Sequence, residues 1–175
     1  MEFMESKTFT NWFKKLGLTD DDLRQIQNDI IENPNIGVIQ QETGGIRKYR
    51  FSSTSNKGKS GGSRIHFYVY SNVCYLLAIV PKNVAENLSK SERDELVKLL
   101  HRMIRKEESL CIFEGGSYMK NMTLYDFLKS GIEDIIEYNN GDKSKAKKYT
   151  VKESEFAYED VENDFKLRIK ESNDE

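Results

Sequence analysis

The order of elements in this sequence predicts an α+β fold, and three observations carry the prediction. Leu23, Ile26, Ile30 and Ile31 recur at helical spacing behind Thr19-Asp20-Asp21-Asp22, a strong helix start with acids on the positive end of the dipole. Residues 63–71 alternate apolar and polar side chains, as a strand with one buried face does. Only Ser71-Asn72 separates them from residues 73–80, a nearly all-apolar run, so the two strands pair in a tight hairpin with the second one central.

The remaining elements follow in order. MEFMES suits a short first strand. Thr8 or Thr10 is placed to cap a helix through Phe9, Trp12, Phe13 and Leu16, which Gly17 then stops. Asn33-Pro34 ends the second helix, and a polar connection runs to Gly37. Gly44-Gly45 opens a strand over 46–52, and Pro81 closes the strand over 73–80. Ser89 or Ser91 caps a helix reaching about Lys106, with Leu96, Leu99, Leu100 and Met103 on one face. Gly115-Gly116-Ser117 reads as a linker. Thr123 then starts a helix with an apolar stripe of Leu124, Phe127, Leu128, Ile132, Ile135 and Ile136, and Asn139-Asn140-Gly141 ends it. The chain is extended at 149–151 and turns acidic, with eight acids and three bases from Glu155 onward.

The 175 residues fit one domain, or one domain with an appendage. No apolar run approaches the length of a membrane span, and the N-terminus lacks the basic start and apolar core of a signal peptide. Cys74 lies in the apolar 73–80 run and reads as a buried free thiol; Cys111 is the only other cysteine. With no CxxC pair and only two histidines, a metal site is not expected, nor is a cofactor. A reducing, cytoplasmic setting is the default.

The formal charge of −2 hides an asymmetry. Residues 1–118 carry 17 Lys and Arg against 15 Asp and Glu, while 119–175 carry 10 against 14. Residues 44–85 contain seven basic residues and no acid, although ordinary surfaces mix signs. Strand alternation places Lys48 and Arg50 on one face of the first long strand, and Arg64, His66 and Tyr68 on one face of the second. If both strands turn their apolar sides to the same core, these five converge on one open face. Lys57 and Lys59 then sit on the loop above, and Lys82 at the end of the neighbouring strand. Cations interleaved with aromatic rings suit a phosphodiester chain with stackable bases. The plainer reading is a solvated sheet face kept basic for solubility.

GGIRKYRFSS, the NKGKSGGSRIHFYVY strand and YLLAIVPKNVAENLSKSERDEL together resemble the HigB branch of the RelE/ParE toxin superfamily. The run from Asp21 to Gly37 fits as well, and the resemblance covers about residues 1–106. It implies a RelE-like fold: two N-terminal helices packed on a small antiparallel sheet with a closing helix. It implies a type II toxin that enters the ribosomal A site and cuts mRNA without a metal, the substrate's own 2′-OH attacking the adjacent phosphate. Carried over, Lys48 and Arg50 match the family's basic pair, Arg64 its phosphate-contacting arginine, and Lys82 and Asn83 its turn after the apolar strand. The resemblance thus expects Lys48, Arg50, Arg64 and Lys82 to be catalytic. Arg47, Lys57, Lys59, His66, Tyr68 and Asn83 are expected to bind RNA. His66 stands where the family often has a tyrosine, so its role differs most from the family pattern.

Residues 121–153 resemble a different protein, the N-terminal segment of a HigA-type antitoxin. The expected organisation is a toxin domain over 1–110, a linker over 111–121, and an antitoxin-like helix with acidic tail over 122–175. Leu124, Phe127, Leu128, Ile132 and Ile135 are then the antitoxin-like contact residues. The expected partners are mRNA, the ribosome, and an antitoxin or this chain's own C-terminal segment. Competing expectations are a ParE-like binding protein that blocks gyrase without cutting RNA, an inactive remnant, and a C-terminal extension that simply completes the core.

Overall fold

The computed structural model describes residues 1–53, 62–105 and 122–151. Among them the chain forms β1 (Glu2–Ser6), α1 (Lys7–Lys15), α2 (Asp20–Glu32), β2 (Val38–Ile39), β3 (Arg47–Phe51), β4 (Ser63–Tyr70), β5 (Val73–Val80), α3 (Lys90–Arg105), α4 (Leu124–Asn139) and β6 (Ala146–Thr150). The fold is mixed α and β, as the sequence predicts. The loop carrying Lys57 and Lys59, the 111–121 linker with Cys111, and the acidic stretch after 151 lie outside the described residues.

The sheet corrects one expectation. It is mixed, in the order β2-β3-β4-β5-β1-β6, with β1 parallel to β5 and the other pairs antiparallel. The cause lies at the N-terminus. β1 runs straight into α1, whose cap is Ser6 rather than Thr8 or Thr10. The Ser6 hydroxyl accepts from the Phe9 N–H at 2.9 Å and donates to the Leu77 carbonyl at 2.7 Å. That pair of bonds seats β1 against β5 and starts the helix in the same residue.

Apolar residues fill both faces of the sheet. One cluster joins Phe9 and Phe13 of α1 and Ile26 and Ile30 of α2 to Tyr49, Phe51, Ile65, Phe67, Leu76 and Ile79. The other joins Leu96, Leu99, Leu100 and Met103 of α3 to Leu77, Ala78 and Val80. A strand buried on both faces cannot alternate apolar with polar residues, which is why 73–80 reads as one continuous apolar run.

The same reasoning corrects the expected appended tail. Leu124, Phe127, Leu128, Ile132, Ile135 and Ile136 of α4 belong to the second cluster, and β6 pairs antiparallel with β1. Gly131 lets α4 lie directly on β5, since a Cβ there would stand 2.0 Å from the Leu77 carbonyl oxygen. Asp134 of α4 accepts from the Thr8 N–H at 2.6 Å and the Thr8 hydroxyl at 2.7 Å. Burial raises the Asp134 carboxyl pKa above the usual carboxylate range, and the two Thr8 bonds oppose that rise. On β6, the Tyr149 hydroxyl donates to buried Glu5 of β1 and accepts from Gln27 of α2 at 2.7 Å. Capping boxes begin α2 at Thr19 with Asp22 and α4 at Thr123 with Asp126.

Candidate anion-binding site

Strand register brings the expected basic residues together. Lys48 stands opposite His66, and Arg50 opposite Arg64, across the β3–β4 pair. Opposed residues in a sheet share a face, so all four side chains rise from the same side. Ile46 on that side belongs to the cluster of α3 and α4.

That face is not open over its whole width. Residues 81–89 leave β5, cross the sheet and deliver Glu86 onto the basic pair. The Glu86 carboxylate accepts from the Lys48 ammonium through one oxygen and from the Arg64 guanidinium through the other. A second Arg64 nitrogen donates to the Pro81 and Val84 carbonyls at 2.7 and 2.6 Å. Arg64 is consequently only 6% exposed, and its Nε has no hydrogen-bond partner among the described residues. The Lys48 and Arg64 hydrogen bonds hold the Glu86 carboxyl down at about 2, so it is an anion at any physiological pH.

His66 lies beneath this cluster with no exposed surface, and neither ring nitrogen is hydrogen-bonded among the described residues. Burial, and then the charges of Arg64 and Lys48, push its pKa down to about 3, so the ring is neutral. A neutral imidazole with no exposed surface offers no face for a base to stack on. Arg50, Lys82 and Asn83 are exposed. Tyr68 is half-buried; its ring lies over Gly45, and burial raises its hydroxyl pKa. Arg47 points away from the cluster and donates to the Ile36 carbonyl at 3.3 Å and to that of Asn35. Leu124, Phe127, Leu128, Ile132 and Ile135, the antitoxin-like contact residues of the sequence reading, pack among α3, β5, β1 and α1.

Beside the cations a cleft of about 420 Å³ opens between β2 and the start of α3. Val38, Gln40, Lys48, Glu86, Leu88 and Arg93 line it. Val38 and Ile39 are 59% and 56% exposed along this edge. Arg93 donates to the Leu88 carbonyl at 2.6 Å and pairs with Glu42 at 2.8 Å.

Glu86 and Arg93 were not among the expected site residues. Glu86 did carry a signal, because it is the acid that ends the acid-free stretch of residues 44–85. Two cations from adjacent strands, one of them almost completely buried, thus share the two oxygens of one carboxylate. No group of three or more His, Cys, Asp or Glu side chains is placed to hold a metal ion among the described residues. No described helix is long and apolar enough to cross a membrane. No protein-family model matches the chain.

Proposed function

We propose that this chain is a ribosome-dependent mRNA endoribonuclease of RelE-like fold, the toxin of a type II toxin–antitoxin pair acting in the cytoplasm. The observation that carries the reading is the convergence of Lys48 and Arg64 on both oxygens of a single anion. A phosphodiester offers two non-bridging oxygens in a similar fork. In the reaction, the ribose 2′-OH loses its proton and attacks the adjacent phosphorus. The bond to the 5′-oxygen breaks, and that oxygen takes up a proton, leaving a 2′,3′-cyclic phosphate. Lys48 and Arg64 stabilise the negative charge that grows on the non-bridging oxygens. Exposed Arg50 and Lys82 guide the flanking phosphates. The order of two helices, hairpin-joined strands and a closing helix supports the RelE-like reading of the fold.

A second reading, a non-catalytic binding protein of the ParE kind, is favoured by one observation: Arg64 is held by the Pro81 and Val84 carbonyls and is almost fully buried, as is His66. Mapping the 5′ ends of an mRNA in a translation reaction with the full chain separates the two. The nuclease produces cuts inside ribosome-occupied codons, and Lys48→Ala slows them by about 100-fold, as loss of one transition-state donor does. Intact mRNA while translation runs would select the binding reading.

A further inference from the structure

Glu86 is the acid that pairs with both Lys48 and Arg64. Its carboxylate occupies the point where Lys48 and Arg64 converge, and it completes neither a helix cap nor a strand pair. The anchors of its segment lie elsewhere: Arg64 holds the Pro81 and Val84 carbonyls, and Leu88 is buried in the α3–α4 cluster. The Glu86 side chain is 36% exposed, so it can swing into solvent by rotation about its own bonds. None of those anchors need break. The cleft lined by Val38, Gln40 and Arg93 opens beside it, and Arg64 Nε and both His66 nitrogens lack partners among the described residues.

We propose that Glu86 is an internal stand-in for a phosphate of the RNA, and that a phosphodiester in the cleft displaces it from Lys48 and Arg64. The identity of the anion rests on the nuclease reading above; the displacement itself rests on the geometry. The exchange is balanced. Two charge-assisted hydrogen bonds to a carboxylate are replaced by two to a phosphodiester, while the carboxylate regains water. The apparent Kd is therefore the intrinsic Kd divided by the fraction of time for which Glu86 is away from the site. A preformed anion site is kept satisfied, and closed to weak ligands, until a chain with several phosphates arrives. Arg50 and Lys82 engage the neighbouring phosphates and supply the extra attraction that tips the exchange.

The test uses the full chain and a fluorescein-labelled 2′-O-methyl RNA hexamer, which cannot be cut, with affinity read by anisotropy. Glu86→Gln is expected to bind about tenfold tighter than wild type, a difference of about 1.4 kcal/mol. Its salt dependence should steepen by about 0.7 in log–log slope for each additional phosphate that the protein neutralises. Glu42→Gln makes the same charge change at the Arg93 pair and should tighten binding far less. Equal tightening by the two variants, or none in Glu86→Gln, overturns the proposal. If Glu86→Gln lacks a cooperative melting transition, Glu86→Asp replaces it. That variant withdraws the carboxylate by one methylene, and wild-type affinity in it also overturns the displacement. The mRNA cleavage map on the same proteins keeps the two readings apart. Tighter hexamer binding with no cleavage by any variant leaves Glu86 as the stand-in and removes the nuclease. Cleavage by wild type that Glu86→Gln abolishes, with hexamer affinity unchanged, keeps the nuclease and makes Glu86 a working part of its site.

Discussion

At position 66 a histidine sits in the sheet with no exposed surface and no hydrogen bond to either nitrogen among the described residues. Its pKa falls from 6.5 to about 3 because burial, Arg64 and Lys48 all oppose a second proton. Below pH 6.5 the unfolded chain therefore takes up a proton that the folded chain refuses. Stability should fall as the pH drops from 6.5 toward 3, by up to about 1.4 kcal/mol per unit. Glu86 adds a loss of its own at lower pH. Its folded pKa is depressed, so its contribution is present above pH 4.5 and disappears as the pH falls through about 2. Asp134 and Glu133, whose carboxyl pKa values burial raises, contribute with the opposite sign as the pH falls, so the His66 part is read as the difference between wild type and His66→Phe from pH 6.5 to 5. In His66→Phe, urea midpoints over that interval should flatten, and stability at pH 7 should equal or exceed wild type, since two orphaned polar atoms are removed. A wild-type slope in that variant would show that His66 of the wild type protonates as readily in the fold as in the unfolded chain. Lys48 and Arg50 on one strand and Arg64 and His66 on the next were legible as one basic face, because strand alternation is a local rule. Its cover was not, because 81–89 has no periodicity and its path is set by Arg64 gripping two carbonyls.

The elements show the same division. α2 and α4 are announced by Thr-x-x-Asp capping boxes and apolar stripes, and both form where those signals stand. The two-residue β2 carries no signal, because a pair of residues cannot display a period, and it forms by pairing with Lys48 and Arg47. The docking of α4 depends on one glycine. At Gly131 a methyl group would meet the Leu77 carbonyl at 2.0 Å, so the helix or the central strand must shift. Gly131→Ala is expected to destabilise the chain by roughly 2 kcal/mol. In a melting experiment that is a fall of roughly 4–8 °C in midpoint. An unchanged midpoint would mean that α4 rests loosely on the sheet. From sequence alone Gly131 reads as a weak spot in a helix, because the need for close approach belongs to the facing strand.

For the whole molecule, the decisive matter is where residues 122–151 belong. Six large apolar side chains of α4 lie in the core, and burial of each contributes about 1.5–3 kcal/mol, about 9–18 in all. That is comparable to the whole stability of a typical domain, about 5–15 kcal/mol. A fragment ending at Arg105 should therefore lack a cooperative melting transition and bind a hydrophobic dye, with β1 left as a bare edge. A fragment that melts cooperatively would instead mark 122–151 as a removable cover. If it is soluble only when 122–175 is co-expressed, the two pieces form one fold whether or not they are joined.

The sequence by itself determined the class of the fold, most of the helices and strands, and the placement of four basic side chains on one face. Each of these follows from rules that act over a few residues: caps, periods and alternation. Only the tertiary structure decided that the sheet is mixed, that α4 and β6 complete it, and that Glu86 closes over Lys48 and Arg64. Those outcomes join residues far apart in the chain, such as Ser6 with Leu77, Asp134 with Thr8 and Lys48 with Glu86. No local pattern records a partner that the chain reaches only by folding.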